Sequence, residues 1–181
     1  MKVNTNLVLK VLYILSWIIF VGICVEAGGY LTNAVFAIVN PSIVKYLWHE
    51  VDLSALLKYS PEHFFTLVLT ISIVAILKAY LFYLIIAILS TRKLNLSQPF
   101  NREVGRFISK LSYVPFMIGL FSWCGVEYTT WLVQQGVTIP DVQYLSLGGA
   151  DVWLFMSVTL FVIAQIFKRG IELQTENELT V

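Results

Sequence analysis

The chain has 181 residues, of which 58% are apolar or aromatic and only 13% are charged. That balance excludes a water-soluble domain, because a fold this small could not hide so much apolar surface. A net charge of +1 gives no clustered basic surface for direct nucleic-acid binding, and two cysteines, Cys24 and Cys124, are too few and too far apart for a disulfide scaffold or a zinc finger.

Crossing about 30 Å of hydrocarbon takes about 20 apolar residues, and four nearly uncharged runs approach or exceed that length, at 7–27, 64–89, 107–133 and 152–167. They are apolar on all sides, which a lipid-facing barrel strand is not. The expected fold is all-α, an integral membrane bundle of four transmembrane helices forming one domain. The first run, led by Lys2 and Lys10, passes signal-peptide length without a convincing small-residue cleavage site and reads as a retained span. It either breaks at Gly28-Gly29 or continues, since 30–39 is still apolar, to the stop at Asn40-Pro41. In the outer loop 40–63, Val44, Leu47, Trp48 and Val51 recur at helical spacing around Lys45, His49 and Glu50, which predicts a short surface helix.

The second run carries Lys78, about 16 Å deep when counted from Leu89. An ammonium at that depth must snorkel to the interface, find an interhelix hydrogen bond, or serve transport or binding. Glu26 and Glu127 fall near the outer ends of the first and third runs, with Cys24 and Cys124 beside them. The carboxylates read as reaching interfacial water and the thiols as small apolar groups that pair if their helices touch. A metal held by both pairs, with His49 and His63 as further ligands, is the lesser reading, and no metal or cofactor is expected.

The cytoplasmic loop 90–106 holds the strongest local pattern. Pro99 biases Gln98 toward extended backbone, Asn101 suits a helix cap, and Glu103 suits the positive helix start. Beyond them Phe100, Val104, Phe107, Ile108 and Leu111 form an apolar stripe, and Arg102, Arg106 and Lys110 a basic one. The basic stripe suits anionic headgroups or an acidic docking partner. Pro115 beside Gly119 predicts a kink in the third span. The segment 134–150, with Gly136, Pro140, Gly148 and Gly149, reads as a turn-rich outer loop. In the tail 168–181, Glu172 and Glu176 stand four apart, either on a solvated helix end or folded against the basic stripe. Exposed pairs of that kind contribute about 0 to 1 kcal/mol each, enough to set geometry rather than stability.

Lys2, Lys10, Arg92, Lys93, Arg102, Arg106, Lys110, Lys168 and Arg169 fall on one side of the spans, and Lys45 and Lys58 on the other. Positive charge is held inside, so both termini and the middle loop are expected in the cytoplasm. Tyr46, Trp48, Tyr59, Tyr128, Trp131, Tyr144 and Trp153 gather toward the outer span ends, as interfacial rings do. Nucleophile elbow, phosphate-cradling loop and His-Glu-x-x-His helix are all missing, so an enzyme is not expected.

The Pro99-Phe100 turn leading into a basic helix, the segment Ile163-Ala164-Gln165-Ile166-Phe167-Lys168-Arg169-Gly170 with Leu173, and the ending Glu176-Asn177-Glu178-Leu179-Thr180-Val181 resemble a bacterial membrane-protein family of unknown function, numbered 2975 among such families. Where that family tends to carry an acidic residue, this chain has Gln165. The resemblance implies four spans and, since family members are often encoded beside a small helix-turn-helix regulator, a membrane partner for a transcription factor. On that expectation Pro99, Phe100, Arg102, Arg106, Lys110, Glu172 and Glu176 bind the regulator. The alternative is a small-solute or ion carrier using Lys78 with Glu26 or Glu127, alone or as a homo-oligomer.

Overall fold

A computed structural model describes residues 5–39, 51–90 and 102–179. The surface helix expected after Pro41, the Pro99-Phe100 turn and the Asn101 cap fall outside these residues, as do Lys2, Lys45, His49, Arg92 and Lys93. The described residues form five helices: α1 (Thr5–Val39), α2 (Ser54–Tyr59), α3 (Pro61–Ser90), α4 (Arg102–Gln134) and α5 (Ala150–Leu179). Four of them, all but α2, are long and apolar enough to cross a membrane. At 27 to 33 residues these spans outrun the hydrocarbon layer and project into the headgroup zones.

The helices pack in the order α1, α3, α4, α5, with short α2 against α3, and no backbone packing joins α1 to α4 or α5. Central α3 buries Phe64, Leu67, Val68, Ile71, Val74 and Ala75. Flanking α1 and α5 bury only 6% and 11% of their most apolar stretches inside the protein, so the rest of those faces needs lipid. The helix ends differ in chemistry. Tyr59, His63, Tyr128 and Trp131 form a contiguous ring cluster at one end, with His63 and Trp131 centroids 5.4 Å apart and a 2.6 Å hydrogen bond between His63 Nδ1 and the Tyr128 hydroxyl. Arg102, Arg106 and Lys110 lie at the other end of α4, called the basic end below.

Two helices outrun the spans expected of them. Of the two courses open for α1, the continuous one holds: it runs through Gly28-Gly29 to Val39, since a glycine inside a helix costs only about 1 kcal/mol and the apolar run continues past it. Glu26 therefore lies well inside the helix and not at its end. Likewise α5 does not stop at Lys168-Arg169 but continues as helix beside α4.

The seam of α4 is built from small residues. Gly105, Ser109, Ser112, Pro115, Gly119, Ser122, Gly125 and Thr129 recur three to four positions apart, the spacing that lets helix backbones approach in lipid. Pro115 is accommodated within the continuous helix. The Ser157 hydroxyl donates to the Ser112 carbonyl at 2.8 Å, a hydrogen bond across the α4–α5 seam.

Candidate functional site

The segment 135–149 is turn-rich, as expected, but part of it packs into the core. A Cβ placed on Gly119 would lie 2.8 Å from Leu154 Cγ and 3.1 Å from the Ala150 carbonyl oxygen, so α5 starts level with Gly119. Gly119 is about 15 residues below the end of α4, a descent of about 22 Å at 1.5 Å per residue. The chain must therefore re-enter the bundle before α5 can begin. Leu145 and Leu147 are fully buried in the main core, and Val137 is almost so. Taking each leucine out of water contributes about 1.5–3 kcal/mol, enough to hold the re-entry.

Local chemistry explains the turn. At the end of α4 the Gly136 N–H donates to the Val133 carbonyl (2.9 Å) and the Val137 N–H to the Leu132 carbonyl (3.2 Å), with Gly136 at φ 84°. This is a Schellman stop, and buried Val137 and Leu132 supply its apolar contact. The Asp141 carboxylate then accepts from the Gln143 N–H at 2.8 Å, opening a single turn. That turn closes in the same way, with Ser146 N–H to Gln143 carbonyl (3.1 Å) and Leu147 N–H to Val142 carbonyl (3.1 Å). Here Ser146, φ 56°, occupies the left-handed position that glycine usually takes. A non-glycine residue there costs about 1–3 kcal/mol and persists only where its surroundings fix it.

Lys78 supplies much of that fixing. Its ammonium donates to the Ser146 carbonyl at 2.8 Å and lies 5.9 Å from the centre of the Trp153 ring. From α1, the Glu26 carboxylate accepts from the Ser146 hydroxyl, and the Tyr30 hydroxyl is 3.4 Å from both Ser146 Oγ and the Tyr144 carbonyl. Glu26 is also within electrostatic reach of the ammonium. One serine thus ties α1, α3 and the re-entrant turn together through a carboxylate and an ammonium. Trp153 correspondingly sits in the first turn of α5 beside Lys78, rather than at the span ends with Tyr59, Tyr128 and Trp131 as expected. Lys78 makes a hydrogen bond inside the protein, but to a backbone carbonyl of the turn and not across to a neighbouring helix as expected.

The other intramembrane candidate separates from this group. Glu127 is exposed on α4, and α3 stands between α1 and α4, so Glu26 and Glu127 do not share a site. Cys24 and Cys124 are both exposed thiols on those same two helices. A single chain should form no Cys24–Cys124 disulfide. Non-reducing electrophoresis of a Cys24→Ser variant and the wild type, both monomeric, is expected to give identical mobilities with and without reductant. Among the described residues no group of three or more His, Cys, Asp or Glu residues stands ready to hold a metal.

At the basic end, α4 and α5 frame an open groove of about 710 Å³. Arg102, Arg106 and Lys110 line one wall, and Lys168, Glu172 and Glu176 the other, with Gly105, Ala164, Gln165 and Ile171 between them. The basic residues of α4 and the acidic pair of α5 therefore line one groove. Glu172 also bonds within its own helix, to Arg169 at 3.1 Å. Gly105 allows the close approach, because a Cβ there would lie 2.9 Å from Ile171 Cδ1. Pro99 and Phe100 lie outside the described residues. The small-residue seam and the re-entrant turn were not anticipated from the sequence, where the seam's signal is its three-to-four spacing and the turn's is the pair Leu145 and Leu147.

Comparison of the chain with protein families, with curated proteins and with solved structures finds no match in any of the three.

Proposed function

We propose that this is a multi-pass membrane protein of the bacterial inner membrane that acts as a regulatory partner, docking a small helix-turn-helix transcription factor in the groove between α4 and α5 on the cytoplasmic side. The observation that carries the reading is the groove itself. It gathers the residues singled out by charge pattern, Arg102, Arg106, Lys110, Glu172 and Glu176, around an apolar strip at Ala164 and Ile171. Such a surface suits an amphipathic helix that sets acidic side chains against α4 and aliphatic ones against the strip. The resemblance of the tail and the Pro99-Phe100 turn to family 2975 supplies the class of partner, and the basic end supplies the orientation.

The competing reading, a carrier working through Lys78, has less support because that ammonium already holds the re-entrant turn and Glu127 lies elsewhere. The groove reading is tested by co-purifying the full chain with the helix-turn-helix protein encoded beside it. The R102E/R106E/K110E variant is expected to lower recovery at least about tenfold, as losing several charge-assisted contacts would. Glu172→Lys with Glu176→Lys should lower it too. Unchanged recovery in both variants, or no such neighbouring gene, would sink the proposal.

A further inference from the structure

A second cleft lies on the opposite flank of α4, between α3 and α4 at the basic end. It measures about 330 Å³, and Leu84, Ala87, Ile88 and Phe107 form its apolar lining. Arg106 and Lys110 stand at its edge, one helical turn apart, with Glu103 on the same rim. The cleft is formed at the basic ends of two helices that are long and apolar enough to cross a membrane, beside their apolar stretches.

We propose that this cleft binds one anionic phospholipid, its phosphate between Arg106 and Lys110 and the upper part of an acyl chain against Leu84, Ala87 and Phe107. Three features support the assignment. First, two cations against one carboxylate leave the cleft net positive, and they are spaced four residues apart on one helix, so a single phosphate can meet both. Second, the cleft is at the start of a 33-residue helix, whose positive dipole end favours an anion beside its first turns. Third, the lining between the charges is apolar, which a free anion has no use for and a lipid chain does. Basic pockets between membrane helices at the headgroup level are a recurrent form of anionic-lipid recognition.

The proposal is independent of regulator docking, but Arg106 and Lys110 also line the α4–α5 groove. Ala87 lines only the α3–α4 cleft, and so separates the two. The full-length protein in vesicles of equal parts phosphatidylglycerol and phosphatidylcholine is released and its bound lipid counted by native mass spectrometry. The wild type is expected to retain phosphatidylglycerol over phosphatidylcholine by about tenfold. R106Q/K110Q and A87W should both bring the ratio close to one, and K168Q/R169Q, which removes equal charge from α5, should leave it near the wild-type value. Thermal unfolding of each variant checks that the bundle is intact, and a Leu84→Trp variant replaces A87W if that one fails to fold. Equal loss in K168Q/R169Q would mean general surface charge and would overturn the site. So would retention in a folded cleft-filling variant, no lipid preference in the wild type, or full displacement of the lipid by inorganic phosphate.

Discussion

Replacing Lys78 with Met is expected to release the re-entrant turn while leaving the helices folded. The substitution keeps the apolar stem but leaves the Ser146 carbonyl without its donor and Glu26 without the nearby positive charge. An unsatisfied buried acceptor costs about 1–3 kcal/mol. Against this, the ammonium's own desolvation penalty disappears, so the loss of global stability should fall toward the lower end of that range. The turn feels the change more than the bundle does, because Ser146 holds a left-handed backbone that its partners stabilise. Amide exchange at 145–147 should therefore accelerate by about 10- to 100-fold, the equivalent of about 1.4–2.8 kcal/mol, with exchange in the middle of α3 little altered. The double variant Glu26→Gln, Lys78→Met removes both charges and should recover part of the protection. If exchange at 145–147 stays unchanged in Lys78→Met, the latch is not what holds the turn.

This result would also bear on function, since a carrier using Lys78 predicts a different phenotype. Loss of flux with an unaltered turn would mark the lysine as a transport group. A loosened turn at near-normal stability marks it as a structural tether that frees α5 to act as a rod between the membrane interior and the groove at its far end.

How legible this was in the sequence depended on the kind of signal. Span existence followed from apolar run length, and the basic stripe and the acidic pair were each legible because residues four apart share a helix face. Lys78 was legible as a residue in need of a partner. Its partner was not, because a carbonyl oxygen belongs to every residue and has no letter of its own. For the same reason 135–149 read only as a turn-rich outer loop: Gly136, Pro140 and Gly149 specify turns, and turn chemistry carries no information about depth. Leu145 and Leu147 were the available hint, two leucines in an otherwise turn-forming segment. Gly28-Gly29 left two courses open, and the continuous one holds because glycine weakens a helix by much less than a long apolar face in lipid sustains it.

The glycines provide the sharper test of this packing, because neighbours differ where the letters do not. At Gly125 a Cβ would lie 2.9 Å from Leu147 Cδ1 and 3.3 Å from Thr70 Cγ2, where α3, α4 and the re-entrant turn meet. At Gly119 the near atoms include the Ala150 carbonyl oxygen at 3.1 Å, a backbone group that cannot rotate away. Alanine at either position is expected to cost about 1–3 kcal/mol by overpacking, and valine more, with Gly119 the worse of the two. Gly105 should tolerate alanine better, since its near contact is the flexible end of Ile171. At Gly28 nothing lies within 4 Å, and alanine there should gain up to about 1 kcal/mol of helix propensity. Thermal unfolding in detergent should thus rank the alanine variants Gly28 above wild type, then Gly105, Gly125 and Gly119. Equal tolerance at Gly28 and Gly119 would mean that α5 does not begin against the middle of α4, and the re-entrant turn would lose the space that defines it.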